Sequence, residues 1–158
     1  YYLMAGEAGN VDALFFAGNL YFEKKVTGLN MSERDLDKQA FDILMGAAKH
    51  GHTDAQHKIG LIYASGSAYV NKSPENAFPW FEKSANQGVM GAQRDLGTAY
   101  YRGEGVGKDL ENAAHWHRLA AEQGSPEAHQ YLQREADQGI QIAIDWIRAN
   151  GRVSVDDS

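Results

Sequence analysis

The sequence repeats itself. The pattern Ala-x4-Gly-x2-Tyr occurs three times, as Ala13…Gly18…Tyr21, Ala55…Gly60…Tyr63 and Ala92…Gly97…Tyr100, and its glycines lie 42 and 37 residues apart. A second element is an aromatic or aliphatic residue, then two small residues, then Gly. It occurs as Tyr1…Ala5-Gly6…Gly9, Ile43…Ala47-Ala48…Gly51, Trp80…Ser84-Ala85…Gly88 and Trp116…Ala120-Ala121…Gly124, with final glycines 42, 37 and 36 apart. Two independent patterns share one period, so the 158 residues form an array of units rather than one single-core domain.

Each unit reads as two helices. Ala92, Leu96, Gly97 and Tyr100 fall on one helical face, and Ala113, Trp116, Ala120 and Ala121 on another. Glycine inside a helix costs roughly 1 kcal/mol against alanine, so Gly18, Gly60 and Gly97 predict the close approach of a neighbouring backbone. Gly124 suits the left-handed position after a helix end. Ser125-Pro126 and Ser73-Pro74 read as N-caps with proline in the first turn, Asp109 opens a helix in the same way, and Thr53…Gln56 has capping-box spacing. One helix pair cannot bury its apolar face alone, so the units must stack. The expected fold is all-α, a right-handed superhelix of antiparallel helix pairs with units of 36–42 residues.

The third unit carries a longer signature: Ala92, Leu96-Gly97, Tyr100, Gly103, Gly105-Val106, Asp109, Ala113, Trp116, Ala120-Ala121 and Gly124. This resembles the Sel-1-like repeat, a relative of the tetratricopeptide repeat, over residues 1 to about 138. The reading divides the chain into a partial repeat at 1–12, repeats at 13–54, 55–91 and 92–127, a degenerate repeat with a closing helix at 128–151, and a flexible tail at 152–158.

Several positions depart from the pattern. The first unit has Ala17 in place of Leu and about six extra residues after Tyr21, centred on Lys24–Asn30. The second has Ser73 in place of Asp, and Pro79 directly before Trp80, so its second helix either contains a proline that kinks it or starts late, near Phe78. The fourth has Gln133 and Ala136 where Gly and Tyr belong. Ile140–Ile147 then reads as the closing helix. The chain opens at Tyr1 as if in mid-helix, so further sequence is expected before it.

By analogy with tetratricopeptide arrays, the resemblance implies that the first helix of each unit lines a concave surface. Residues turned away from the Ala/Leu/Gly/Tyr face are then the candidate partner contacts. They are Phe15, Phe16, Asn19, Phe22 and Glu23 in the first unit, and His57, Lys58, Leu61 and Ser65 in the second. The third offers Arg94, Asp95, Thr98, Tyr101 and Arg102, and the fourth Gln130, Tyr131 and Arg134. Phe, Tyr and Arg are types enriched at binding hot spots. Arg94, Arg102 and Arg134 form a basic stripe suited to a partner's carboxylates. For Phe15 and Phe16 the alternative is packing against the preceding helix.

Other chemistry is poorly supported. The chain has no Cys, which excludes disulfides, thiolate metal sites and a cysteine nucleophile. Its formal net charge of -6 argues against nucleic acid or anionic membrane as partner. Gly103–Lys108 looks like a phosphate-binding loop but follows a helix rather than a strand. His50 with His52, and His115 with His117, lack a third ligand and read as surface or capping residues. Asn30-Met-Ser32 and Asn71-Lys-Ser73 are formal glycosylation sequons. No cofactor, metal or catalytic residue is expected. Penicillin binding, linked to proteins similar to this family, goes with paired cysteines that are missing here. The expected function is a scaffold that binds another protein on the concave face. A narrower expectation is an immunity protein that neutralises a secreted effector, in a bacterial periplasm or outside the cell rather than in the cytoplasm. Self-association through the half repeat at Tyr1 is a further expectation. An enzyme, for instance a hydrolase of cell-wall fragments or antibiotics, is the competing class; its mark would be a convergent polar cluster with perturbed pKa in a pocket, and its test turnover that is lost on changing His57 or Asp95.

Overall fold

A computed structural model describes residues 9–25 and 28–152. The half repeat at Tyr1, the centre of the insert at 26–27 and the tail from 153 lie outside the described residues. The described chain forms α1 (Val11–Phe22), α2 (Glu33–Lys49), α3 (Thr53–Ser65), α4 (Pro74–Asn86), α5 (Met90–Arg102), α6 (Leu110–Glu122), α7 (Pro126–Asp137) and α8 (Gln141–Asn150). Each helix packs on the next in sequence, and α6 also touches α8. The fold is an α/α solenoid in which α1, α3, α5 and α7 are the first helices of successive units.

The helix starts follow from local chemistry. Side-chain oxygens of Asn10, Ser32, Ser73, Asp109 and Ser125 accept from backbone N–H groups of the first turn. The capping box predicted at Thr53 does not form. His52 is the N-cap of α3, and its Nδ1 accepts from Ala55 N at 3.2 Å. Gln56 instead reaches back to Ala48 O, because it is buried beneath the end of α2 and satisfies a terminal carbonyl there. Helix α4 starts at Pro74 and contains Pro79, so the late start at Phe78 is excluded. The bond that Pro79 lacks belongs to exposed Glu75, whose carbonyl is in reach of water.

Gly60 and Gly97 face side chains rather than the expected backbone, whereas Gly18 faces both the side chain and the backbone nitrogen of Leu44. A Cβ on Gly18 would meet Leu44 at 2.6 Å, one on Gly60 would meet Phe81 at 2.6 Å, and one on Gly97 would meet His117 at 2.6 Å. In each unit the second helix pushes one bulky side chain into the groove that the glycine opens. Gly105 is different. With φ +74, it lies so close to Pro74 O that an added Cβ would stand 2.2 Å away. The loop after α5 thus folds back onto the start of α4, and packing accounts for this glycine of the would-be phosphate loop.

The core runs through the stack in three clusters. Leu44, Ala47, Ala55 and Ile59 join α2 to α3; Phe81, Ala85, Ala92 and Leu96 join α4 to α5; Ala114, Leu132 and Ala143 join α6, α7 and α8. Small residues let the helices approach closely, and aromatic rings fill the spaces at the edges. A polar seam accompanies this core. Gln93 Nε2 donates to Ala85 O at 3.4 Å, repeating the Gln56–Ala48 bond 37 residues on. Gln87 then donates to Gln56 Oε1 at 2.8 Å, and Gln123 to Gln93 Oε1 at 2.7 Å. Helix α8 covers the last cluster, with Trp146 Nε1 donating to His129 Nδ1 at 3.3 Å. Arg152, counted above with the tail, donates to Asp137 at 2.7 Å.

Candidate protein-binding surface

The candidate residues sort into contacts within the stack and surface that faces solvent. Phe15 is half-buried, and its ring stacks on His52 at 4.2 Å within the first core cluster. Its neighbour Phe16 is 54% exposed. Asn19 has a buried Oδ1 with no hydrogen-bond partner. Phe22 is 38% exposed, and the ammonium of Lys58 sits 4.8 Å from its ring centre. Glu23 pairs with Lys25 at 2.5 Å, and Ser65 is exposed at the end of α3.

Between α3 and α5 a polar bridge stands beside an apolar cleft. His57 Nε2 lies 2.7 Å from Asp95 Oδ2, and Arg94 Nε donates to Asp95 Oδ1 at 3.0 Å. Burial pushes the Asp95 carboxyl up, but the hydrogen bonds from His57 and Arg94 and the Arg94 charge outweigh it. The group is held below the ordinary carboxylate range. Asp95 is thus fixed as an anion whose two oxygens are both engaged. Thr98, on the same helix, donates to Arg94 O at 3.0 Å and lies 3.4 Å from His117 Nε2. The cleft has a volume of about 140 Å³, and its lining is mostly apolar, including Leu61, Phe78 and Phe81, together with Thr98 and the acidic residues Asp95 and Glu104.

Between α5 and α7 cations converge on two tyrosines. Tyr101 meets Tyr131 edge to face at 5.2 Å. Arg102 donates to the Tyr131 hydroxyl at 3.0 Å, and the Arg134 guanidinium lies 5.4 Å from the centre of the same ring. Lys108, from the loop after α5, stands 6.0 Å from the Tyr101 ring, whose hydroxyl accepts from Gln138 at 3.1 Å. Beneath Tyr131, His117 stacks parallel at 4.6 Å and is itself held by Glu135 at 2.7 Å. Gln130 is exposed on the same helix.

The Sel1 repeat family matches at residues 53–89 and 91–125, which are the second and third units. A crystal structure of a Sel1 repeat protein from Oxalobacter formigenes superposes with a TM-score of 0.73 at 34% identity, covering 84% of this chain and 95% of that one. The chain belongs to the Sel1 repeat family. Among curated Sel1 relatives, chitin synthase regulatory factor 3 of Schizosaccharomyces pombe is 33% identical over 91 residues, which is 57% of this chain and 10% of that protein. The ERAD-associated E3 ubiquitin-protein ligase component HRD3B of Arabidopsis thaliana is 32% identical over 111 residues, 70% of this chain and 17% of that protein. The chain therefore spans well under a quarter of the length of these curated relatives.

The three arginines differ in their pairing on this Sel1 array. Arg94 is turned onto Asp95 while within electrostatic reach of Tyr131, which Arg102 and Arg134 contact directly. Sequence reasoning missed Lys108 and Gln138, which reach the site from a loop and from the end of α7. It also read His117 as a surface or capping residue, whereas the side chain is completely buried. Its register was the available signal, since His117 lies 36 residues after Phe81 and occupies the same slot. His52 does cap a helix, and His50 bonds to Gly46 O in its own helix. Among the described residues no group of three or more potential metal ligands occurs, and no helix is long and apolar enough to cross a membrane.

Proposed function

We propose that this Sel1 array is a protein-interaction scaffold whose first-helix face, from Leu61 to Arg134, binds a segment of another protein. The observation that carries the reading is the juxtaposition on α5 of an apolar cleft and a cluster of cations and tyrosines. Concave-side aromatic and arginine anchors are the residue types that concentrate binding energy, and a solenoid presents them along an extended surface. Relatives described as a regulatory factor and as a ligase component are in keeping with an adaptor role. The polar group beside the cleft favours binding over hydrolysis, because both oxygens of Asp95 are engaged, by His57 and Arg94, and Thr98 bonds within its own helix. An immunity or inhibitor role in the bacterial periplasm or outside the cell is a narrower form of the same proposal. It requires that the bound protein be a secreted effector whose activity falls on binding.

The test compares three immobilised proteins in extract from the source organism. These are the parent, Leu61→Glu with Arg134→Glu on the first-helix face, and Glu82→Lys with Glu111→Lys on the second helices. A protein retained by the parent and by the second-helix variant, but lost by the first-helix variant, supports the reading. Equal retention by all three, with helicity unchanged, overturns it.

A further inference from the structure

Resting on that reading, we propose the chemistry of the occupant: an extended partner segment with one apolar side chain followed by carboxylates. The apolar side chain enters the cleft between α3 and α5. The carboxylates lie over the cations between α5 and α7.

The cleft fixes the first part. Its volume of about 140 Å³ is close to the roughly 150 Å³ of an engineered cavity that takes up benzene. It therefore suits one branched aliphatic or aromatic side chain. The neighbouring cations fix the second part. Arg134 and Lys108 have ring faces as partners but no carboxylate within ion-pair distance among the described residues. Arg102 keeps one nitrogen on Tyr131, and its nearest carboxylate, Glu104, is 4.0 Å away with both side chains more than half exposed. By contrast, Arg94, Arg118 and Arg152 are each paired with an acid at 3.0 Å or less. Within a protein of net charge -6, this is a local cationic site with incomplete pairing. Arginine offers carboxylates a fork of parallel donors.

Spacing joins the two parts. Thr98 lines the cleft, and Arg102 is one turn further along α5, which puts their Cβ atoms about 5–6 Å apart. An extended chain advances about 3.3 Å per residue, so the first carboxylate falls about two residues after the apolar anchor. The platform is already in place before binding. Tyr131 is held from below by His117 and at its edge by Tyr101, so little side-chain freedom remains to be lost on association. Glu104 lines the cleft and competes for Arg102.

Fluorescence anisotropy with labelled synthetic peptides tests the proposal. One probe carries a leucine followed by glutamates; the others carry glutamines or lysines instead, or alanine for the leucine. The glutamate probe is expected to bind at least about tenfold more tightly than the glutamine probe, and to weaken as salt is raised. The exposed double variant Arg102→Gln, Arg134→Gln should abolish that preference with its helicity unchanged, and Leu61→Arg should abolish the preference for leucine over alanine. Glu104→Gln should tighten the glutamate probe by about twofold or more. Equal binding of the glutamate and glutamine probes, preference for lysine, or indifference to the arginine substitutions overturns the proposal, as does absence of binding up to about 1 mM. A displayed random-peptide library panned on the same protein separates this failure from that of the scaffold reading. Non-acidic binders that are lost on Leu61→Arg would refute the acidic segment and keep the surface. Binders indifferent to every first-helix substitution would refute both.

Discussion

Nδ1 of His117 lies 2.7 Å from Oε1 of Glu135, and neither side chain has any exposure to solvent. The pair joins α6 to α7 inside the core. His117 fills the slot that Leu44 and Phe81 fill in the earlier units, and Glu135 stands where Ile62 and Ala99 stand. An apolar contact has therefore been replaced by a polar one in the last full unit, with Glu135 Oε2 left without a partner. His117→Leu leaves Glu135 buried without a partner, and Glu135→Leu leaves His117 only Thr98 Oγ1 at 3.4 Å, so each substitution alone should cost about 1–3 kcal/mol. The double substitution restores the apolar character of the slot and should be close to the parent or above it in stability. Urea unfolding followed by circular dichroism measures all four proteins. A double variant weaker than either single one would show that the pair stabilises the core on balance.

Glycine substitutions should separate by what the new methyl group meets. Gly97→Ala places a Cβ 2.6 Å from the His117 ring, which Glu135 holds on one side and Tyr131 on the other. Overpacking of this kind costs about 1–3 kcal/mol and outweighs the helix-propensity gain of up to about 1 kcal/mol. Gly46, inside α2, has nothing within 4 Å of its added Cβ. Gly46→Ala should stabilise by about 0.5–1 kcal/mol. The opposite signs are readable as opposite shifts in the urea midpoint, and a stabilising Gly97→Ala would show that His117 is free to move.

The polar seam makes a third case. Gln93 is buried, donates to Ala85 O and accepts from Gln123. Gln93→Leu keeps the volume but takes one hydrogen bond each from Ala85 O, which keeps Gly88 N at 3.0 Å, and from the Gln123 amide, which keeps Gly88 O at 2.9 Å. A loss of about 0.5–1.5 kcal/mol is expected from the unfolding midpoint, and Gln123→Ala should cost less, since Gln123 is exposed at its C-cap.

The repeat period made the solenoid and its helix pairs legible, because glycine, alanine and tyrosine recur where packing demands small or flat groups. The identity of the neighbour was not legible. A glycine records that something comes close; in α3 and α5 that something is a side chain from the next helix, and in α1 it is both the side chain and the backbone of Leu44. His117 misled because histidine between Trp116 and Arg118 looks like a surface residue, while its burial depends on Glu135 from the following helix. Arg94 misled because the acid that claims it, Asp95, is its own neighbour and is turned inward by His57 from another unit. Lys108 reaches Tyr101 only because Gly103 and Gly105, with φ +70 and +74, fold the loop back. Pairings across units depend on how the units stack, which a one-dimensional pattern does not encode.

The bridge from His57 to Asp95 makes the junction of the second and third units sensitive to acid. The Asp95 carboxyl is held below its ordinary value of 3.8 in the folded protein, against the effect of burial, by His57 and Arg94. A depressed carboxyl contributes stability that is complete above its unfolded pKa and is lost as pH falls through the folded one. Asp95→Asn should therefore lower stability by about 1.5–3 kcal/mol near neutral pH, where hydrogen bonds to a charged group are lost. The gap between parent and variant should close as pH is lowered from about 5 to about 2, because protonation removes from the parent what the substitution removes from the variant. Urea midpoints measured across that range test it. A gap that stays constant down to the lowest pH would mean that the Asp95 charge contributes nothing to the junction.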